Sequence, residues 1–344
     1  MALFSEYLPK TSVSEELEND LFGNALTKKE TEALRERCMS YQAEEPPAWS
    51  SRIFPAYAQY FGFLSSLKVR SVFHELHHYG YMDPVLDHPS GFQLVDFGAG
   101  TLGGTLGAVD FLRSVGKKPS ALWAVDEDTS PMRWAEERFK GFLQQSVTLF
   151  TADQFKQNTC PKPTLFIAVD VLNEMGLPPR QEALEFVRSI TQKLDEHSLI
   201  ILIEPANKFI NKDFLRLREY LKSELSILLP CTHSQTCPML ESQRDWCHEE
   251  RHYRAPSRYW TLVDNLGFDR SILQFSLLVL GKRNSVFTDQ DYRMVSRNIA
   301  TKGKSEKWFC GKGERWKVAE LTRHKEDPNK QHFFAAQRGD VLKR

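Results

Sequence analysis

Six cysteines occur in the 344 residues, and four of them fall in the last third of the chain. These four are Cys231, Cys237, Cys247 and Cys310. Structural disulfides are not expected in a reducing compartment, so such clustering points to metal binding or catalysis. No C-x-x-C pair is present, although structural zinc sites usually contain such short knuckles. Four thiolates without knuckles suit an iron–sulfur cluster. The alternatives are a mixed zinc site with His233 and His248, or unrelated buried thiols.

A glycine-rich stretch, VDFGAGTLGG at residues 95–104, is the second candidate site. Its GxGxxG core occurs in dinucleotide-binding turns and in S-adenosylmethionine-binding turns. A dinucleotide turn normally leaves its strand through small or apolar residues, whereas here Asp96 stands two positions before Gly98, as in methyltransferase turns. Gly98 and Gly100 allow close backbone approach and positive φ. Asp96 is suited either to hold the amino group of a ligand or to order the turn.

Acidic residues also close the next two predicted strands. Asp126 ends the stretch ALWAVD, where a carboxylate can accept hydrogen bonds from both ribose hydroxyls. A NAD enzyme uses an acid in the same place, so Asp126 indicates a ribose without naming the cofactor. Asp153 follows the third strand, where an acid can meet an adenine amino group. Acids at three successive strand ends predict a nucleoside pocket and favour S-adenosylmethionine, with NAD and an empty turn as the alternatives.

The residues after the fourth predicted strand read DVLNEMG, from Asp170 to Gly176. They lack the N-P-P-aromatic element of many enzymes that methylate base amino groups. A cytosine-carbon methylase needs a Cys nucleophile at or beyond this point, but Cys160 lies before the strand and is interpreted as a loop thiol. Asn173 and Glu174 are candidates for a strand-end cap or for part of the acceptor pocket, and we assign Asn173 to the cofactor site. The catalytic residues, including any general base, stay unassigned.

A scaffold of alternating strands and helices is predicted to position these residues. The predicted strands span residues 92–97, 121–125, 147–150, 164–169, 199–203, 225–229 and 272–280. Helical patterns lie between most of them, for example at residues 131–144, 180–194 and 213–223. This alternation predicts an α/β fold, a Rossmann-like class I methyltransferase with a doubly wound, mostly parallel sheet and an antiparallel last strand.

The regions before and after the sheet have different patterns. Apolar residues recur at helical spacing from Pro55 to Gly80, with Pro at the start and Gly at the end. Two pairs have the spacing of capping boxes, Ser12 with Glu15 and Thr27 with Glu30. After residue 281, short strand-like pieces and charged turns predict a small basic β-module. The expected divisions are an N-terminal helical region (1–85), a methyltransferase-like domain (86–282) with a cysteine-bearing insertion at about residues 230–260, and the β-rich module (283–344).

Charge is distributed unevenly along the chain, although the formal net charge is zero. Residues 281–344 hold sixteen Lys or Arg against eight Asp or Glu. Such a basic segment indicates an anionic partner, most commonly nucleic acid, and a solvated surface is the alternative. No run of about 18 apolar residues predicts a membrane helix. The acidic first twenty residues fit neither a signal peptide nor a transit peptide, so we predict a cytoplasmic protein.

In combination, these motifs resemble a methyltransferase-like family of predicted ribosomal RNA methylases in bacteria and small-subunit ribosome assembly factors in mitochondria. The resemblance runs from about Ser50 to the C-terminus. The stretches that carry it are PAYAQY, VDFGAG, VLNEMG, IEPA, LPCTHSQTCP, WCHEER and QRGD. It implies a 4Fe-4S cluster on the four cysteines and binding to small-subunit ribosomal RNA during assembly. The family name does not establish methyl transfer, so a non-catalytic assembly factor is the alternative function.

Overall fold

An eight-stranded sheet forms the centre of the protein. The computed structural model describes residues 3–42, 50–160, 163–175, 181–268 and 271–343. The strands of the sheet are β1 (Gln93–Phe97), β2 (Ala121–Asp126), β3 (Val147–Thr151), β4 (Thr164–Val169), β5 (Leu199–Pro205), β6 (Ser226–Leu229), β7 (Glu249–Arg251) and β8 (Leu273–Gly281). Their order is β3-β2-β1-β4-β5-β8-β6, with β7 paired to β8 outside this path.

Strand directions confirm the predicted doubly wound sheet. The pairs from β3 to β5 are parallel, and β8 runs antiparallel between β5 and β6. β4 and β5 read TLFIAV and LIILIEP, and all but the last residue of β5 are buried. Near-continuous apolar strands are expected where helices cover both faces of a sheet. The sequence did not predict β7, whose letters EER carry no strand pattern.

Fourteen helices are assigned in the described part of the chain. They are α1 (Phe4–Tyr7), α2 (Glu15–Phe22), α3 (Lys28–Gln42), α4 (Phe54–Tyr57), α5 (Phe63–His78), α6 (Asp83–Leu86), α7 (Gly103–Ser114), α8 (Thr129–Arg138), α9 (Lys140–Leu143), α10 (Ala152–Lys156), α11 (Gln181–Lys193), α12 (Lys208–Leu221), α13 (Ser257–Leu266) and α14 (Gln331–Ala335). Within the same described residues, none of the helices combines the length and apolar character needed to cross a membrane.

Several predicted helix boundaries differ from the observed ones. The pattern at 131–144 divides into α8 and α9, and the predicted first residue of α11, Arg180, lies outside the described residues, as does Gly176. Helix α12 begins five residues before its prediction because the Asn207 side chain accepts a hydrogen bond from the Phe209 N–H at 2.8 Å. The Thr27 cap of α3 is present, with the Glu30 N–H donating to Thr27 Oγ1 at 3.3 Å. The Ser12 cap was a wrong prediction, since Ser14 caps α2 instead.

The N-terminal helices pack directly on the sheet. Their buried residues share one hydrophobic core with α7, α8, α13 and one sheet face, while α11 and α12 cover the other face. The helix predicted from Pro55 to Gly80 is interrupted by one π-turn, Ala58–Gly62. There Gly62 meets Gly103 so closely that a Cβ on Gly103 would lie 2.7 Å from the Gly62 Cα. The third glycine of the turn therefore brings α7 and the N-terminal region together.

A separate five-stranded antiparallel sheet follows residue 283, as predicted for the β-module. Its strands are β9 (Asp291–Met294), β10 (Ile299–Thr301), β11 (Lys304–Gly311), β12 (Glu314–Leu321) and β13 (Val341–Lys343). Leu3 packs in its small core with Met294, Phe309 and Phe333. The first residues of the chain thus contact both the main sheet, through α2 and α3, and the module.

Candidate functional site

The glycine turn lies at the carboxyl end of β1 and is tied to β2, because the Gly98 and Ala99 N–H groups both donate to the Val125 carbonyl, at 2.8 and 3.1 Å. Gly98 has φ +72° and Gly100 φ +48°. A Cβ on Gly98 would lie 2.1 Å from Val171 Cγ2, so the turn also fits tightly against the residues after β4. Glycine is required at position 98 both by its backbone conformation and by this contact.

Asp96 is fully enclosed beneath the turn. Its Oδ2 accepts hydrogen bonds from the Thr105 N–H at 2.7 Å and the Thr105 hydroxyl at 2.8 Å. Burial raises the pKa of Asp96 to about 7, and the two Thr105 bonds oppose that rise. Of the two roles expected for this acid, the geometry shows the ordering of the turn, since its carboxylate anchors the first turn of α7.

Asp126 is the acid that reaches the glycine turn. It is half-buried at the end of β2, and its Oδ2 accepts the Gly100 N–H at 2.8 Å. The carboxylate also accepts the Glu127 N–H, at 2.7 Å, and a backbone hydrogen bond from Asp128. Because a carboxylate has about four acceptor positions, room for a ligand hydroxyl remains. Asp153 lies at the next strand end, where its exposed carboxylate pairs with Lys156 at 2.8 Å. The structure therefore brings Asp126 and the glycines together and leaves Asp153 paired at the surface.

The turn after β4 is organised by a buried acid that the sequence analysis did not assign. Glu204, near the end of β5, accepts the backbone N–H groups of residues 171, 172 and 173 at 3.2, 2.8 and 3.1 Å. Burial, followed by the negative charge of Asp170, raises the pKa of Glu204 to about 8. Asn173 completes this turn. In the amide orientation that satisfies its neighbours, its side-chain nitrogen donates to Glu204 Oε2 at 2.8 Å. The sequence signal for Glu204 was an acidic residue within the otherwise apolar stretch ILIEP.

Lys68 was missed as well, and it supplies the cation at this edge. It projects from α5 and pairs with Asp170 Oδ2 at 2.5 Å, with only 9% of its side chain exposed. Asp170 has φ +57°, a conformation that non-glycine residues adopt rarely. The sequence signal for this residue was a single Lys among the apolar residues of α5. Lys68 joins the N-terminal region to the residues that border the glycine turn.

Glu204 predicts a pH dependence of stability. Its carboxyl holds a proton up to about pH 8 in the folded protein, against an ordinary pKa of 4.5. Unfolding then releases a proton between these values, so the contribution of Glu204 to the free energy of unfolding falls as pH rises from 4.5 to 8. In urea unfolding at about pH 5 and about pH 8, the wild type is expected to lose more stability than Glu204→Gln over this interval. Equal losses in the two proteins would contradict this origin.

The second site contains the four cysteines. Cys237 is buried, and the other three are half-buried. Burial and then the charge of Cys231 raise the pKa of Cys237 to about 11 and raise that of Cys310 further. The pKa of Cys247 is raised by burial and by the other three thiols. The four thiols therefore lie within electrostatic range of one another, although Cys310 is on β11 of the module and the others flank or occupy the insertion.

Cationic and donor groups surround these thiols. Arg218, buried on α12, lies beside Cys231 and Cys237 and donates to the His233 and Gln235 carbonyls at 2.9 and 2.7 Å. His233 Nε2 lies 3.7 Å from Cys310 Sγ. A small cleft is lined by residues that include Arg218, Cys231 and Cys247. The positive charge of Arg218 opposes the rise that burial causes in the pKa values of Cys237 and Cys310.

The thiols are not arranged around a single point. Across the described ranges, no three His, Cys, Asp or Glu side chains form a group that could hold one metal ion. The iron–sulfur cluster stays a prediction.

A buried ion network lies next to the cysteine site and connects three parts of the chain. Arg293 of β9 pairs with Glu75 of α5 at 2.7 Å and with Glu249 of β7 at 2.8 Å. Arg251 pairs with the same two acids at 2.6 and 2.7 Å. All four side chains are at most 7% exposed. Burial would raise the pKa of Glu249, but Arg293 and Arg251 lower it to about 2. The module is thereby fastened to both the N-terminal region and the main sheet.

The sheet order and the single antiparallel strand, with the glycine turn at the end of β1, define a class I methyltransferase-like fold. Residues 131–342 match the family model described as Mitochondrial small ribosomal subunit Rsm22, and the chain belongs to this family. The resemblance found in the sequence is therefore confirmed. Because the description is of a mitochondrial subunit, it does not confirm the cytoplasmic location that was predicted.

Known structures with similar chains are distant in sequence. A putative RNA methyltransferase from Pyrococcus horikoshii has 11% identity and a TM-score of 0.37, with 63% of this chain and 81% of that chain covered. A putative class I S-adenosylmethionine-dependent methyltransferase from Listeria monocytogenes has 14% identity and a TM-score of 0.39, with 78% and 88% covered. No curated protein matches the chain.

Proposed function

We propose that the chain binds S-adenosylmethionine, carries a 4Fe-4S cluster, and acts on or binds the RNA of the small ribosomal subunit during assembly. The observation that carries the cofactor assignment is the contact between Asp126 and the Gly100 N–H, at the carboxyl edge of a methyltransferase-like sheet. Family membership supports the link to the small subunit. The cluster assignment is supported by the four neighbouring thiols and the buried Arg218 beside them.

Cofactor binding would use the groups at the ends of β1 to β4. Asp126 would accept hydrogen bonds from the ribose hydroxyls through its remaining lone pairs, and the positive-φ glycines would let the backbone approach the ligand. Asp96 would act indirectly by holding the turn, while Asp153 and Asn173 would border the adenine and methionine ends. When bound, S-adenosylmethionine supplies an activated methyl group, and this chain's residues would contribute its position and alignment.

Asp126→Ala is expected to weaken S-adenosylmethionine binding by about 1–3 kcal/mol, because the change leaves the ribose hydroxyls and the Gly100 N–H without their acceptor. Isothermal titration calorimetry measures the effect, and NAD is expected to show no binding. Asp87→Ala is the control, since Asp87 is an exposed carboxylate paired with Lys117. NAD binding, or equal affinity of the Asp126 variant and the wild type, would overturn the cofactor assignment.

The cluster would be held by Cys231, Cys237, Cys247 and Cys310. Four thiolate ligands suit a 4Fe-4S cluster, and Arg218 would offset part of its negative charge. Zinc is the alternative occupant, with His233 as a possible ligand because its ring lies beside Cys310. Metal analysis separates these two occupants, as described at the end of the Discussion.

The non-catalytic form of the function is favoured by one feature of the β4 edge. Two of the charged side chains described there are occupied by neighbouring groups, since Lys68 pairs with Asp170 Oδ2 and Glu204 accepts three backbone N–H groups. Methyl transfer is tested by incubating the protein with methyl-labelled S-adenosylmethionine and small-subunit RNA. Label in the RNA would establish an active methyltransferase, whereas RNA binding without label would establish an assembly factor.

A further inference from the structure

Helix α12 presents an unusual exposed face. Phe209 is 80% exposed and Tyr220 is 53% exposed, although both are large aromatic residues. Arg216 lies between them, with 54% of its side chain exposed. These residues are separated by seven and four positions, so they share one side of a helix with 3.6 residues per turn. We define Phe209, Arg216 and Tyr220 as the aromatic face.

The rest of α12 is occupied, which leaves this face open. One side buries Phe214, Leu217 and Leu221 against the sheet and α11. Another side holds the cysteine-bearing insertion, because Lys208 and Lys212 donate to insertion carbonyls. The Lys208 contact is with Gln243 at 2.7 Å, and the Lys212 contacts are with Met239 and Leu240, both at 2.6 Å. The aromatic face lies between these two packed sides and is bordered by the lysines.

The charge around the aromatic face is positive. Residues 208–222 carry five Lys or Arg and two Asp or Glu, and all of the five except the buried Arg218 are at least partly exposed. The two acids are paired locally, Asp213 with Arg216 at 2.8 Å and Glu219 with Lys222 at 2.6 Å. Exposed aromatic rings set among cations are typical of surfaces that bind single-stranded nucleic acid, where bases stack on the rings and phosphates meet the cations.

We propose that the aromatic face of α12 binds single-stranded RNA, with bases stacked on Phe209 and Tyr220 and the backbone close to Arg216 and the bordering lysines. The two aromatic residues are about 16 Å apart along the helix axis, a length that several nucleotides can span. The cations beside the rings complement a phosphate backbone, and this charge complementarity favours RNA as the occupant of the face. Because α12 starts directly after β5, the face also lies near the edge of the sheet that carries the glycine turn.

This inference rests on the proposed function, since it names the form of RNA and the surface that receives it. The test uses full-length, anaerobically purified protein and two fluorescent RNA probes, a single strand of about 12 nucleotides and a hairpin of the same length. Fluorescence anisotropy gives the Kd of the wild type, Phe209→Ala, Tyr220→Ala and Phe209→Trp. Met39→Ala is the matched control, because Met39 is a large exposed side chain on α3, at 62% exposure.

The wild type is expected to prefer the single strand. Each alanine variant should raise its Kd by about 5-fold to 150-fold, while Phe209→Trp and Met39→Ala stay close to the wild type. Unchanged Tm values show that the exposed substitutions leave the fold intact. Wild-type RNA affinity in both alanine variants would show that the aromatic face does not bind RNA, while RNA binding by the chain as a whole would stand. No RNA binding by the wild type would overturn the proposed function itself. If the two alanine variants kept their RNA affinity but lost binding to a protein of the small subunit, the aromatic face would be assigned to a protein partner instead of RNA.

Discussion

Arg293→Leu is expected to lower the free energy of unfolding by about 3–5 kcal/mol, the range for removing one partner of a buried ion pair. The substitution leaves Glu75 and Glu249 buried with Arg251 as their remaining cation in the network. Because Arg293 belongs to β9, the module should also lose much of its attachment to the main sheet. Urea unfolding measures the stability, and limited proteolysis between Gly281 and Ser285 reports the attachment.

Arg297→Leu provides the control for this experiment. It removes the same kind of side chain four residues later, from a pair with Glu250 in which 59% of Arg297 is exposed. Arg297 itself is exposed, and Glu250 keeps its contacts with His248 at 3.2 Å and Gln274 at 3.0 Å, so this variant should lose much less stability than Arg293→Leu. If the two variants lost equal stability, the network would not be the main connection between module and sheet.

Cys310→Ser is expected to lose iron as completely as Cys231→Ser, although Cys310 lies on β11 of the module and Cys231 follows β6 of the main sheet. If one cluster takes all four thiolates, the ligand from β11 fastens the module to the insertion, and metal ligation supplies docking energy. Loss of Cys310 leaves the module held by Arg293 and the contacts of Leu3. Cleavage between Gly281 and Ser285 should therefore increase, and affinity for small-subunit RNA should fall.

Cys160→Ser tests whether these effects are specific. Cys160 is buried near the end of α10, in a core cluster on the other side of the molecule's main sheet from the N-terminal helices. The variant should keep its iron and its RNA affinity. A Cys310→Ser protein with wild-type protection and wild-type RNA affinity would show that the cluster does not fasten the module.

The positions of the central strands were predictable because each is a short apolar run followed by a turn signal. Helix ends were less predictable, since the Asn207 cap and the Ser14 cap depend on single hydrogen bonds. β7 was not predictable from its letters EER, because its two buried charges are stabilised by Glu75 and Arg293, which are distant in sequence.

The candidate sites show the same limit. The glycine turn and Asp126 follow from local sequence, because strand ends in a parallel sheet meet at one edge. Lys68 and Glu204 were missed because their partners come from other elements, the Asp170 side chain in one case and the turn after β4 in the other. The grouping of Cys310 with three cysteines of the insertion was implied by family resemblance, and spacing alone gives no means of placing β11 beside them.

Metal analysis of the anaerobically purified chain tests the central claim most directly. We expect a brown protein with about four iron atoms per chain and small-subunit RNA in the same preparation. Stoichiometric zinc without iron would contradict the cluster assigned to Cys231, Cys237, Cys247 and Cys310.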